Sequence, residues 1–353
     1  MSIKLPSPSD PALLRSLNRR TILRTLFDSD SLETLAGIVK KTGVSRPTVE
    51  ASLAELAEQK WIEELSPDSS GPGRLGRPAR RFRFRNEFGI LVGLDLGIHK
   101  ILVKIADTRG TVLHEHVYRM DGTSPEQLTV GKILEEVRAA INESGHRGSR
   151  IWAMGCGFPG VVTAAGVVQR SVVVPHLTGV NLAAELSEQL NTVVLVENDA
   201  NLATLAEHRE GASHDARSVV VVKTGRRISS GLIINGALLR GHHGAAGEIG
   251  ALPILRWAEA PKLKDVVEYG QALGAGLAAL VLAVDPEAVV IQGEFKDQEA
   301  ALLAAVRTEL DRFCIYTPSV QVSKLGAGAV AAGGVHLAGD RFRTDVLGLS
   351  FAQ

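Results

Sequence analysis

Glu248 raises the first chemical question. It stands in Gly247-Glu248-Ile249-Gly250, a glycine-rich and apolar setting, and a carboxylate placed there needs a polar partner because burying an unpaired charge is costly. Residues 71–86 carry the opposite chemistry: Arg74, Arg77, Arg80, Arg81, Arg83 and Arg85, with no acid among them. Such a block is either a solvated stretch or the footprint of phosphate binding. The chain as a whole gives no such lead, since 39 Lys and Arg balance 39 Asp and Glu.

The elements that must position these residues divide the chain. At 353 residues it exceeds what one core usually supports, and 45% hydrophobic with 22% charged residues reads as soluble and globular. Cys156 and Cys314 lie far apart and form no Cys-x-x-Cys pair, which fits a reducing cytoplasm and argues against a disulfide framework or a cysteine-rich zinc site. The N-terminus lacks the apolar core of a signal peptide. The longest apolar run, at 272–284, is too short to span a bilayer and reads as a buried helix. A cytoplasmic location with no membrane partner is expected.

In the first 87 residues, Leu13, Leu14, Leu17, Ile22, Leu23 and Leu26 have helical spacing. A second helix is expected from a Ser31 cap, with Glu33 in its first turn, to Gly43. A third follows Ser45, with Pro47 in its first turn and Val49, Leu53 and Leu56 on one apolar face. Two helices joined by Thr42-Gly43-Val44-Ser45 match a helix-turn-helix. That reading puts Ser45, Arg46, Thr48, Glu50 and Ser52 near the exposed N-terminal end of a recognition helix in the major groove of double-stranded DNA. Next, Arg81-Phe82-Arg83-Phe84-Arg85 alternates strictly, so a strand would show phenylalanines on one face and arginines on the other. Paired with Trp61–Glu64 it would make a wing, with Gly76-Arg77-Pro78 as a cationic tip suited to a minor groove. The alternative is a small helical bundle used for docking.

Beyond Phe88 the texture becomes strand, glycine loop, strand, tight turn and strand, followed by alternating helices and strands. "SVVVVKTGRRISSGLIINGALLRG", from Ser218, repeats the opening pattern, a weak internal duplication that implies two similar α/β halves with both glycine loops facing a shared cleft. "VENDANLATLAE", "GEIG", "LDLGIHK", "GCGFPG" and "VDPEAVVIQG" together resemble the ROK family of repressors, open reading frames and kinases. The resemblance covers essentially the whole chain, and the N-terminal segment is similar to the family's transcriptional-regulator branch. It implies an α/β chain: a winged helix-turn-helix over 1–87, then a two-lobed actin/hexokinase-like (ribonuclease H-like) domain with lobes at 88–210 and a shortened 211–353.

The same resemblance implies that Asn198 and Asp199 hold a hexose, Asp199 matching the family's general base, and that Gly160 and Glu248 line the sugar pocket. An amide and a carboxylate can together serve vicinal hydroxyls, although Asp199 could equally cap the helix that begins there. Departures from the family pattern point away from catalysis. Ala251 replaces the histidine that usually follows Gly-Glu-Ile-Gly, and the family's three cysteines are missing, so no zinc or other metal is expected. The first phosphate loop reads Asp95-Leu96-Gly97-Ile98-His99-Lys100, with a glycine and a hydroxyl residue lost. The second reads Lys223-Thr224-Gly225-Arg226-Arg227, with arginines in place of small residues. Phosphate cradling needs the close backbone approach that glycine permits, so neither ATP nor kinase activity is expected. These features point to a homodimeric DNA-binding regulator of carbohydrate-related genes, with a sugar or sugar-phosphate effector. A bifunctional sugar kinase-regulator and a ligand-free regulator, using the second domain for dimerisation or docking, are the competing readings.

Overall fold

The computed structural model describes residues 11–65, 80–225, 227–252, 257 and 264–349. Arg74, Arg77 and Arg226 lie outside the described residues, as does the expected wing tip. The chain forms two compact units. Unit 1 comprises Met1–Gly89, Asp107–Arg109 and Arg341–Phe351; unit 2 comprises Ile90–Ala106, Gly110–Asp340 and Ala352–Gln353. Neither unit is one continuous stretch, unlike the linear division expected from the sequence.

Unit 1 holds α1 (Pro11–Phe27), β1 (Glu33–Thr34), α2 (Leu35–Thr42), α3 (Arg46–Glu58), β2 (Ile62–Leu65) and β3 (Arg81–Phe84). Helix α1 buries Ile22, Leu23, Leu26 and Phe27, while Leu14 and Leu17 are exposed; the apolar spacing extends further than the core it serves. Helix α2 starts later than its Ser31 cap predicts. Thr34 is the cap, accepting from Gly37 N at 3.1 Å, because Glu33 and Thr34 are used by β1 in pairing with Phe82 and Arg81. It ends, as expected, where Gly43 turns left-handed with φ 68°. Strands β2 and β3 pair antiparallel, Ile62 opposite Phe84 and Leu65 opposite Arg81, in the sheet order β1-β3-β2. Phe82 and Phe84 are buried, and Arg81 and Arg83 are exposed. Three chain segments meet on Phe27: Phe84 packs edge-on at 5.1 Å, Phe342 lies at 6.1 Å, and the Arg109 and Arg343 guanidiniums sit 5.6 and 5.8 Å from its ring centroid.

Unit 2 contains two five-stranded sheets. The first is built from β4 (Ile90–Leu96), β5 (Lys100–Ala106), β6 (Val112–Arg119), β7 (Ile151–Phe158) and, after a small ribbon of β8 (Val161–Val162) and β9 (Val168–Arg170), β10 (Val193–Asn198). The second comprises β11 (Val219–Lys223), β12 (Ser229–Ile234), β13 (Ala237–Leu238), β14 (Ala288–Gln292) and β15 (Ser319–Val322). Their orders, β10-β7-β4-β5-β6 and β13-β12-β11-β14-β15, describe one pattern twice: an antiparallel meander of three strands, then two parallel strands added beside the first. The duplicated texture of the sequence thus has a topological counterpart. Strand β4 is buried throughout, so it reads as a continuous apolar run rather than an alternation.

The helices are α4 (Val130–Glu143), α5 (Leu182–Leu190), α6 (Asp199–Arg209), α7 (Val266–Val284), α8 (Glu299–Phe313) and α9 (Ala329–Phe342). Helix α7 has 19 residues, longer than its apolar run and sufficient by length and composition to cross a membrane. Length therefore does not decide its role. Leu273, Leu277, Leu280 and Val281 do, being buried in the core of the second sheet with Leu302, Val306 and Leu310 of α8. Helix α9 returns to the first sheet. A Cβ on Gly155 would lie 2.1 Å from Gly334 O, and one on Gly93 would lie 2.0 Å from Ala331 O, so glycine alone allows this approach.

Candidate functional sites

The inter-sheet site in unit 2 is assembled at strand ends. Strand β10 runs parallel to β7 and ends at Glu197-Asn198, from which α6 starts directly. Asn198, rather than Asp199, is the helix cap: its Oδ1 accepts from Ala200 N at 2.8 Å and Asn201 N at 3.2 Å. Its Nδ2 donates to Gly160 O at 3.0 Å, which joins the two predicted ligand residues through backbone. Gly160 has no room for a side chain, since a Cβ would meet Arg170 O at 2.5 Å. Asp199 is thereby free of the capping role, though its Oδ1 accepts from Ala200 N at 2.9 Å. Its Oδ2 is in close contact with Lys223 Nζ.

Lys223 is the residue that sequence reasoning missed in this role. It closes β11, held between Ser229 of β12 and Gln292 of β14, and its ammonium enters the site from the second sheet. Asp95 at the end of β4 is buried, which pushes its carboxyl pKa up; Lys223 and Lys100 pull it back and Asp199 adds to the rise, with the net result above the ordinary value. Burial opposes the charge on Lys223, yet Asp199 and Asp95 outweigh it and hold its pKa above the usual lysine range. Glu197, also missed, accepts from Asn198 N and Asn201 Nδ2 at 2.9 Å each and pairs with Arg240 Nε at 2.6 Å. One signal was available: a lysine ending a run of four valines must carry its charge to a strand end.

The predicted phosphate-loop residues are engaged internally. Lys100 Nζ donates to Ala327 O at 2.9 Å and lies 3.7 Å from Asp95 Oδ2. Gly97 N donates to Lys100 O at 3.0 Å. Thr224 Oγ1 donates to Gln292 O at 2.7 Å, so this hydroxyl is already committed. Gly225 follows with φ 157°. Glu248 opens a short 3-10 turn ending at Ala251. Its loop is pinned where Ser230 Oγ donates to Gly247 O at 2.6 Å, and Gly247 is left-handed with φ 85°. Glu248 is exposed by area, yet enough protein surrounds its carboxyl to desolvate it; this and Asp199 raise its pKa, with Arg170 opposing. The partner sought for Glu248 is thus a shared field, Asp199 against Arg170, and no hydrogen bond to its carboxylate occurs among the described residues. Among those residues no group of three or more His, Cys, Asp or Glu side chains could hold a metal ion.

The second site is the basic face of unit 1. Ser45 precedes α3 and shares a 2.8 Å hydrogen bond with Thr48 through the two hydroxyls. Arg46 and Glu50 are exposed and pair with each other at 3.2 Å. Ser52 is a correction. It is buried, because three residues after Val49 it falls on the same face as Val49, Leu53 and Leu56, and it cannot face a groove. Arg80 is exposed but paired with Glu64, its Nη2 lying 2.5 Å from Oε2; Glu64 raises its pKa against the opposing effect of burial. Arg81 is exposed at the start of β3. A separate cavity of about 190 Å³ lies within unit 1, lined by Leu17, Arg20, Thr21, Arg24, Leu347 and Gly348.

Residues 91–262 match the model of the ROK family. The xylose repressor of Bacillus subtilis (strain 168) is 22% identical over 347 aligned positions, covering 86% of this chain and 88% of that repressor. The glucokinase of Streptomyces coelicolor is 31% identical, but over 46% of this chain and 49% of the enzyme. Among solved structures, a ROK family transcriptional regulator homologous to the E. coli MLC protein superposes with a TM-score of 0.70 over 95% of this chain and 98% of its own, at 16% identity. The likeness to the ROK family thus lies in residues 91–262, and similarity to a xylose repressor extends along most of the chain.

Proposed function

We propose that the protein is a cytoplasmic DNA-binding transcriptional regulator of repressor type, in which unit 1 is a winged helix-turn-helix and unit 2 senses a sugar. The carrying observation is the extent of the likeness. Similarity to a xylose repressor runs over 86% of the chain, beyond the family domain, whereas similarity to a glucokinase stops at 46%. The geometry of unit 1 supports the reading: α3 offers Arg46, Thr48 and Glu50 from its first turns, and β2–β3 forms the stem of a wing leading into an arginine-rich segment. Arg46 would reach base edges or phosphates, Arg80 and Arg81 the backbone, and Arg74 and Arg77 the minor groove. A homodimer would place two such units on a two-fold operator.

In the inter-sheet site, Asn198, Asp199, Glu248 and the carbonyl of Gly160 would serve ligand hydroxyls. The named charges balance there: Asp95, Asp199, Glu197 and Glu248 against Lys100, Lys223, Arg170 and Arg240, which favours a neutral polyhydroxylated effector. A bound sugar can change DNA affinity only by binding two conformations of the protein unequally. Phosphoryl transfer is not part of the proposal. A base must be free to take a hydroxyl proton, and Asp199 is occupied by Lys223.

The test is selection of genomic fragments by the purified full-length protein at physiological salt, followed by sequencing of what is retained. A two-fold-symmetric site is expected, with affinity falling steeply as salt rises. Arg46→Ala should weaken binding about tenfold or more, the equivalent of one lost base contact of about 1–3 kcal/mol, and Arg77→Ala should reduce the salt dependence. Retention without a shared site would reduce unit 1 to a docking element. ATP turnover on a hexose panel, abolished by Asp199→Asn, would favour the kinase reading instead.

A further inference from the structure

Arg20 and Arg24 carry charge that the fold leaves unanswered. Arg19, Arg46, Arg80, Arg83, Arg85 and Arg109 each reach a carboxylate, that of Glu55, Glu50, Glu64, Glu63, Glu87 and Asp30 in turn. Arg20 and Arg24 reach none among the described residues, although Asp28 follows Arg24 by one helical turn. Asp345, in the carboxy-terminal segment, is taken by Arg341 at 2.7 Å. Arg15 and Arg81 are unpaired as well, but Arg20 and Arg24 line one cavity, of about 190 Å³, between α1 and the chain after α9. No acid lines it. Four residues apart on α1, the two arginines share a face, and like charges at that spacing repel. The helix dipole offsets part of this for Arg24, which stands in the last turn of α1. Arg20 lies a full turn earlier, where that field has faded.

We propose that this cavity binds a small phosphomonoester, gripped by Arg20 and Arg24, at a site distinct from the inter-sheet site of unit 2. The charge favours that class. A phosphomonoester carries close to two negative charges at neutral pH, matching two guanidiniums, whereas each phosphate of a DNA strand carries one. The guanidinium fork fits phosphate oxygens in pairs. Arg20 lies against bare backbone: Gly348 is left-handed, with φ 69°, and a Cβ on it would stand 3.5 Å from Cδ and Nη1 of Arg20. Thr21 offers the anion no donor, since its Oγ1 donates to Leu17 O at 3.0 Å, so recognition falls to the two arginines. Leu17 and Leu347 add an apolar wall. A cavity of about 150 Å³ takes benzene, so this one has room for a phosphate and a short carbon stem. A ligand held there would tie α1 to the turn Arg343–Leu347 and stabilise unit 1 by binding its folded state. Anion binding at this place is independent of whether α3 reads DNA.

The experiment is a calorimetric titration of the full-length protein with ethyl phosphate at neutral pH, against NaCl of equal ionic strength. One equivalent should bind, more tightly than inorganic phosphate because of the leucine wall. Affinity should fall as pH drops below about 6, where the monoester takes up a proton. The double variant Arg20→Ala, Arg24→Ala should bind about tenfold or more weakly, two charge-assisted partners being lost. Arg15→Ala, on the same helix but outside the cavity, should bind as the parent does. Should the double alanine variant not fold, Arg20→Gln with Arg24→Gln keeps the long stems and is titrated in its place. No heat beyond the NaCl control, equal affinity in the double variant and the parent, or an equal loss in Arg15→Ala overturns the proposal. A double variant whose only defect is weaker binding of a random-sequence DNA duplex in phosphate-free buffer overturns it too, and would make the arginines contacts to the DNA backbone.

Discussion

At the scale of single residues, the family motifs were legible and the charges that restrain them were not. Asn198, Asp199 and Gly160 could be picked out only through the resemblance of their motifs to the family's, and the fold does bring Asn198 to Gly160. Lys223, Glu197 and Arg240 became visible only when two sheets placed them together, because an ion pair separated by 24 or 43 residues in sequence leaves no local trace. Another such cluster makes a pH prediction. Burial opposes charging of His116, but hydrogen bonds to Glu136 at 2.7 Å and Glu143 at 2.8 Å outweigh it and raise the imidazole pKa. A raised pKa favours the protonated folded state, so this stabilisation is complete below the ordinary histidine value and is lost as pH rises through the folded one. The two glutamates are held below their usual range, Glu136 by Lys132 and His116 against the cost of burial, Glu143 by His116 and His114. They keep the cluster intact down to about pH 5. His116→Gln should therefore lower Tm most between about pH 5 and 6.5, and the difference from the parent should shrink toward pH 9. A difference independent of pH across that range would contradict the assignment.

At the scale of elements, periodicity located the helices and strands but not always their ends. The strand pair and the α3 face were readable because alternation and helical spacing are strong signals. The start of α2 was misplaced since Ser31 and Thr34 are both competent caps, and only pairing of Glu33 and Thr34 with β3 decides between them. Ser52 shows the same limit: a polar residue was read as exposed, although helix geometry puts it beside Val49 and Leu53. The return of α9 was not readable at all, because it depends on glycines more than 170 residues apart fitting against one another. That fit is testable. In Gly155→Ala the new methyl would meet a backbone oxygen, which cannot swing aside as a flexible side chain would. Overpacking of this kind costs about 1–3 kcal/mol or more, to be seen as a lower urea midpoint with an unchanged slope.

At the scale of the whole molecule, composition set the number of domains to expect, but not how the chain is divided among them. Unit 1 draws on three separated stretches, and its carboxy-terminal contribution is structural: Phe342 and Leu347 are buried at 1% and 3% exposed, with Phe342 facing Phe27. Phe342→Ala should cost about 3–5 kcal/mol, as aromatic truncations in a core do. In hydrogen exchange, peptides covering α1 and β3 should lose protection while those from β4 and β7 keep theirs. Uniform loss across the chain would show that Phe342 supports something broader than unit 1.

That shared construction also sets an order of events. The ribosome makes the amino-terminal helices first, and domains usually complete in the order of their synthesis. Here Phe27 waits for a partner more than 300 residues downstream, so the first unit to be translated is the last to be finished. A nascent or prematurely terminated chain would carry α2 and α3 without their completed support.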